Sequence, residues 1–121
     1  MQRNGYILIV ETDDLIRELL ERWLREAGYG VVAGPSGTPA RKGEEAPRLI
    51  IANISSPRGA ERRIRWLQAA HPAPVLVTSA RFRRGLEAST NAARELGVRK
   101  VLPKPFTREE LLAAVHEALE G

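Results

Sequence analysis

Residues 7–20 read ILIVETDDLIRELL, and the pattern of apolar residues changes partway along this stretch. Residues 7–10 are continuously apolar and mostly β-branched, which is typical of a strand buried on both faces. From residue 15 onward apolar side chains recur at helical spacing, at Leu15, Ile16, Leu19, Leu20, Trp23, Leu24 and Ala27. The stretch therefore predicts a buried strand followed directly by an amphipathic helix.

The same strand-then-helix pattern recurs along the whole chain. Further strands are predicted near 31–33, 49–52, 75–78 and 100–102, and further helices near 38–45, 60–70, 83–96 and 108–119. Alternating strands and helices predict a parallel sheet with right-handed crossovers and helices on both faces. We therefore expect residues 1–121 to form a single three-layer α/β/α domain.

Two of the predicted helices differ in how well the sequence specifies them. The segment 38–45 lacks an apolar stripe and contains Gly43, so its helix should be short or irregular. The last helix has a capping box at Thr107 and Glu110, with Phe106 and Leu111 spaced for a hydrophobic staple. Its start should therefore be sharply defined.

Composition excludes several classes of site and of protein. The chain has 121 residues, of which 43% are hydrophobic, enough for one core. It contains no cysteine, which excludes disulfides, thiolate zinc sites and thiol nucleophiles. The apolar run Tyr6–Val10 is too short for a membrane span or a signal peptide, so we expect a soluble, cytoplasmic protein.

Positive charge is concentrated in the second half of the chain. Residues 58–121 carry 12 basic and 7 acidic side chains, whereas residues 1–57 carry 7 and 8. Arginines cluster at Arg62, Arg63, Arg65 and at Arg81, Arg83, Arg84. Such clusters are found on solvated helix faces and on surfaces that bind phosphate or acidic partners, and both readings stay open.

Polar residues follow four of the predicted strands. Glu11-Thr12-Asp13-Asp14 follows the first strand, Asn53 the third, Ser79 the fourth and Lys104-Pro105 the fifth. In an open α/β sheet these carboxyl ends meet at one edge, where ligands bind. A candidate site is therefore predicted there.

At these residues the chain resembles the receiver domains of two-component response regulators. The matching motifs are ILIVETDDLIRELL, LIIANISSP, PVLVTSA and VLPKPF, in the order and near the spacing of that family. The resemblance implies a flavodoxin-like fold, with five parallel strands in the order 2-1-3-4-5 and five helices. It also implies a site in which Glu11 is the first acid, Asn53 occupies the phosphoacceptor position, Ser79 is the hydroxyl and Lys104 the lysine.

Three residues depart from the pattern that the resemblance implies. Asn53 stands where the family has an aspartate, and Thr12 stands where it has a second acid. An amide is a poor nucleophile, and magnesium is held mainly by charged oxygen ligands. We therefore expect no catalytic residue, no metal ligand set and weak or absent magnesium binding. Val101 stands where many receivers have a switching aromatic residue.

Structural roles are also expected for the polar residues. Lys104 should form an ion pair with Glu11 or hydrogen-bond Asn53, while Asp13 and Asp14 should stabilise the first turn of the first helix. Ser79 is expected to satisfy backbone groups. The Lys104–Pro105 peptide bond is expected to be trans, since most X–Pro bonds in folded proteins are trans, although the resemblance implies a cis bond. His71 and His116 are expected to be solvated.

The leading functional hypothesis is a phosphorylation-independent receiver-like module, a pseudo-receiver, that binds a signalling protein or a second copy of itself. The expected surface is the face of the fourth predicted helix, fifth strand and fifth helix, with Phe82, Arg83 and Arg84 as anchors. One alternative is a phospho-switch that uses Asp13, Ser55 or Ser56 as acceptor. Another is a nucleic-acid-binding module that uses the arginine clusters. Enzymatic turnover is not expected, because the sequence has no triad or glycine-rich phosphate loop.

Overall fold

The five predicted strands form one parallel sheet in the computed structural model, which describes residues 6–34, 46–54, 59–79 and 86–120. The strands lie side by side in the order β2-β1-β3-β4-β5. Their bounds are β1 (Ile7–Val10), β2 (Val31–Gly34), β3 (Leu49–Asn53), β4 (Val75–Ser79) and β5 (Lys100–Pro103). The predicted flavodoxin-like order 2-1-3-4-5 is confirmed.

Four helices lie within the described ranges. They are α1 (Asp14–Glu26), α2 (Ala60–Ala70), α3 (Leu86–Leu96) and α4 (Arg108–Glu120). Each overlaps a predicted helix to within a few residues. The predicted helix at 38–45, and the start of the one at 83–96, fall outside the described residues.

The sheet divides the core into two apolar clusters because successive strand residues point to opposite faces. Ile7 and Ile9 of β1 pack on the same side as Leu20 and Leu24 of α1 and the buried residues of α4. Leu8 and Val10 of β1 pack on the other side, with residues of α2 and α3 such as Ile64, Leu67 and Ala93. Because both faces are covered, every residue of β1 is buried, which explains its continuously apolar sequence.

Polar caps define where two of the helices begin. The Asp13 carboxylate accepts a hydrogen bond from the Ile16 amide at 3.0 Å and caps α1. At α4 the Thr107 hydroxyl accepts from the Glu110 amide at 3.1 Å, and the Glu110 carboxylate accepts from the Thr107 amide at 2.8 Å. The predicted capping box is thus confirmed, and Phe106 packs against the cluster that contains Leu111.

The expectation for His71 is wrong. Its ring is buried, with 1% exposure, although it follows the last residue of α2. His71 lies four residues after Leu67 and seven after Ile64, so it extends the buried face of that helix into the core. Neither ring nitrogen has a hydrogen-bond partner among the described residues. His116 is exposed as expected, with Nε2 at 3.2 Å from Glu120.

Membrane-spanning segments are not found in the described part of the chain, since none of its helices has the length and apolar character required.

Candidate functional site

Four polar residues meet at the edge of the sheet where the strands end. The pairings β1 with β3, β3 with β4, and β4 with β5 are all parallel, so the carboxyl ends of these strands lie next to one another. Glu11 follows β1, Asn53 and Ser79 are the last residues of β3 and β4, and Lys104 follows β5. Residues 93 positions apart in sequence are thereby brought into contact.

The carboxylate of Glu11 is the centre of this group. It is almost fully buried, at 2% exposure. Its Oε1 lies 3.1 Å from the Lys104 ammonium, so the predicted ion pair is present. Its Oε2 accepts hydrogen bonds from the Asn53 amide nitrogen at 3.2 Å and from the Asp13 backbone amide at 3.0 Å. Both carboxylate oxygens are therefore occupied by N–H donors.

Arg17 holds the turn between β1 and α1. Its guanidinium donates to the Glu11 carbonyl at 2.8 Å and pairs with the Asp14 carboxylate at 2.5 Å. This role of Arg17 was not predicted from the sequence. The available signal was its spacing, because Arg17 follows Asp14 by three positions, which puts both on one side of α1.

The other predicted site residues have more local roles. The Asp13 side chain caps α1, in line with the expected stabilisation of its first turn, and Thr12 is exposed. Ser79 is fully buried, and its carbonyl accepts from the Lys104 amide at 2.9 Å. The Lys104–Pro105 peptide bond is cis, as the resemblance implied and against the population default.

The donor set at this edge does not fit a magnesium ion. Magnesium takes octahedral oxygen ligands, with carboxylates as its preferred protein ligands. Here Asn53 directs its amide nitrogen at Glu11, and Glu11 is neutralised by Lys104. Within the described ranges no group of three or more histidine, aspartate or glutamate side chains is placed to hold a metal ion.

An apolar cleft borders the site on the side of α1. Its volume is about 360 Å³, and it is lined by Ile16, Leu19, Leu20, Trp23, Lys104, Pro105 and Phe106. Lys104 thus contributes both to the buried ion pair and to the wall of the cleft. Helical spacing predicted the apolar stripe of α1 but not this cleft, beside which Leu15 is 79% exposed and Leu19 41% exposed.

The anchors predicted for a partner, Phe82, Arg83 and Arg84, lie outside the described residues. Val101, at the position of the expected aromatic switch, is buried in β5.

Comparison with known proteins agrees with this architecture. The chain matches the family model of the response regulator receiver domain over residues 7–116. It is 34% identical to the transcriptional regulatory protein GltR of Pseudomonas aeruginosa, over 98% of this chain and 51% of GltR. It is 29% identical to the transcriptional regulatory protein CpxR of Escherichia coli K12, over 93% of this chain and 48% of CpxR. The chain thus spans about half the length of these curated relatives.

Solved structures share the fold at lower identity. A response regulator receiver protein from Burkholderia phymatum superposes with a TM-score of 0.71 and 22% identity, over 96% of this chain and 95% of that one. A response regulator from Thermotoga maritima superposes with a TM-score of 0.73 and 17% identity, over 98% of this chain and 100% of that one.

Proposed function

The chain belongs to the response regulator receiver domain family of two-component signal transduction, and within that family we propose that it is a pseudo-receiver, a protein-interaction module that works without its own phosphorylation. Receiver domains act by contacting other signalling proteins. In this proposal the chain keeps that role but makes its contacts constitutively, with no catalytic turnover of its own.

The observation that supports the proposal is the hydrogen bonding of Asn53. This residue ends β3, at the position that the resemblance assigns to the family's acceptor, and its amide donates to Glu11, which is paired with Lys104. In an active receiver a carboxylate attacks phosphorus and a magnesium ion stabilises the charge on the phosphoryl oxygens. A neutral amide is a poor nucleophile, and a Glu11 carboxylate that already accepts three hydrogen bonds and is paired with Lys104 is a weaker ligand for a metal ion.

The proposal is tested by incubating the protein with acetyl phosphate and magnesium and measuring its intact mass. We expect no gain of a phosphoryl group. The matched control is the double variant Thr12→Asp with Asn53→Asp, which supplies both missing carboxylates and should become phosphorylated. Any phosphoryl group gained by the wild-type chain would overturn the proposal. A group that is labile in acid and base and is released by hydroxylamine would be an acyl phosphate, such as one on Asp13, and an acid-stable, base-labile group would be a phosphoserine at Ser55 or Ser56; either would favour the alternative phospho-switch.

The partner surface is proposed on the face formed by α3, β5 and α4. There Phe82 and the arginines Arg83 and Arg84, which precede α3, would bind an acidic signalling protein or a second copy of the chain. The double variant Phe82→Ala with Arg83→Glu should lose partners that the wild-type chain captures from its native cell. A variant that captured every wild-type partner would exclude this face.

A further inference from the structure

The exposed side of α2 carries an aromatic ring beside two arginines. Trp66 is 50% exposed, although tryptophan is one of the more apolar side chains. Arg62 and Arg63 precede it by four and three positions, and Ala69 and Ala70 follow by three and four, so all five residues share one side of the helix. We call these five residues the Trp66 patch.

Neither arginine of the patch is paired within the described part of the chain. The ion pair on α2 joins Arg65 to Glu61 at 3.8 Å, whereas the guanidinium groups of Arg62 and Arg63 contact no carboxylate or hydrogen-bond acceptor there. The two alanines are too small to cover the indole ring. The patch therefore presents a half-exposed indole ring next to two arginines whose charges no described acceptor offsets, a combination that is enriched in protein interfaces.

From these observations we propose that the Trp66 patch is a docking surface for an acidic protein segment that also carries an apolar side chain. Tryptophan and arginine are the residues most enriched among those that dominate binding energy in protein interfaces. Guanidinium groups bind carboxylates in a bidentate geometry, and the indole ring offers a flat surface for an aliphatic or aromatic side chain. The partner segment supplies carboxylates to Arg62 and Arg63 and an apolar anchor to Trp66.

The described surface of α2 favours a protein partner over a nucleic acid. Sites for single-stranded nucleic acids combine a basic groove with several aromatic rings that stack on successive bases. Among the residues of α2, Trp66 is the single aromatic side chain, and Glu61 adds a negative charge to the same helix.

The patch is also separate from the site at the ends of the strands. Trp66 lies in the second half of α2, where the neighbouring Gln68 donates to the Gly97 carbonyl at 3.1 Å, shortly before β5 begins. The start of β5 is at the opposite edge of the sheet from Lys104 and Glu11. Binding at the patch is therefore independent of the chemistry at Asn53.

The test uses a synthetic peptide with blocked ends, in which glutamates and leucines alternate at helical spacing. Binding is followed by NMR through the indole N–H signal of Trp66, assigned with the variant Trp66→Phe, and through the backbone amides of α2. A second peptide has every glutamate replaced by glutamine. A thymidine oligonucleotide is titrated in parallel as the nucleic-acid probe.

We expect the acidic peptide to shift the Trp66 indole and the α2 amides, and the glutamine peptide to bind at least about tenfold more weakly. The variant Arg62→Glu with Arg63→Glu should weaken binding of the acidic peptide by at least about tenfold. The matched control is Arg22→Glu with Arg94→Glu, which makes the same charge change at exposed arginines of α1 and α3 and should bind like the wild-type chain.

Three outcomes would overturn this proposal. The acidic peptide could leave the α2 signals unchanged at millimolar concentration, the control variant could lose binding as much as the patch variant, or the oligonucleotide could shift the Trp66 signals at lower concentration than the peptide. The last result would assign the patch to nucleic acid. None of these results depends on whether the chain accepts a phosphoryl group.

Discussion

Replacing Glu11 with alanine is expected to destabilise the fold far more than removing an exposed acid one turn away. The Glu11 carboxylate is 2% exposed and is bound by three N–H donors, those of Lys104, Asn53 and the Asp13 backbone. Removing one partner of a buried ion pair leaves the other charge uncompensated, which costs about 3–5 kcal/mol when the remaining ion stays buried.

The loss of unfolding free energy expected for Glu11→Ala lies at the lower end of that range. The side chain of Lys104 is 17% exposed, so its ammonium partly recovers hydration through the adjacent cleft. The amides of Asn53 and Asp13 also lose an acceptor, but a water molecule in the space that the carboxylate vacates would have these two donors and Lys104 as hydrogen-bond partners. We therefore expect Glu11→Ala to lower the free energy of unfolding by about 3 kcal/mol.

The assay is urea denaturation followed by circular dichroism, with Asp14→Ala as the matched control. The Asp14 side chain is 82% exposed and pairs with Arg17 at 2.5 Å, so its removal should cost less than about 1 kcal/mol. Equal m-values in all variants would show that the free energies are comparable. If Glu11→Ala cost no more than Asp14→Ala, the ion pair would not stabilise this edge of the sheet.

A double-mutant cycle with Lys104→Met separates the contribution of the ion pair to stability from the contribution of side-chain packing. In the Glu11→Ala background, Lys104→Met removes the unpaired ammonium and keeps most of the side-chain volume, so it should recover about 1–2 kcal/mol. In the wild-type background the same change leaves the Glu11 carboxylate unpaired and should destabilise. A loss of stability in both backgrounds would mean that Lys104 acts through its methylene packing.

Three further outcomes are expected. Millimolar magnesium should leave the melting temperature of the wild-type chain unchanged and raise that of the double variant Thr12→Asp with Asn53→Asp, because only a metal that binds the native state stabilises it. Equal shifts of the two melting temperatures would refute this expectation. His71→Phe should be neutral or stabilising by about 1 kcal/mol in thermal unfolding, because it removes from the core two ring nitrogens that have no hydrogen-bond partner in the described ranges. A loss of stability larger than about 1 kcal/mol would show that the ring has a partner. Thr107→Ala should cost about 1 kcal/mol through loss of the cap of α4, whereas Thr107→Ser should cost little.

The sequence was sufficient to predict the sheet because the pattern of apolar residues in each strand follows from which of its faces are buried. The run of four apolar residues in β1 is required by two covered faces, and the switch to helical spacing at residue 15 follows from the amphipathic packing of α1. Thr107 and Glu110 likewise predicted the start of α4, since both partners of that cap are local in sequence.

What the sequence did not predict depends on contacts between distant segments. His71 was expected in solvent because it precedes Pro72, yet it continues the buried face of α2. The cleft beside Lys104 was missed because it arises between α1 and the segment after β5, which are separated by more than 75 positions in sequence. Neither periodicity nor composition contains this information.

The charges at the edge of the sheet explain why the identity of residue 53 decides whether this edge needs a metal ion to be stable. Glu11 contributes one negative charge and Lys104 one positive charge, so with a neutral Asn53 the buried group is balanced, and every oxygen of the Glu11 carboxylate has a donor. An aspartate at position 53 would place a second carboxylate within hydrogen-bonding distance of the first, with a single ammonium between them. Two carboxylates at that separation repel strongly unless a proton or a cation intervenes. The balanced arrangement seen with Asn53 is therefore the one that needs no metal ion to be stable, and this links the proposed loss of phosphorylation to the fold itself.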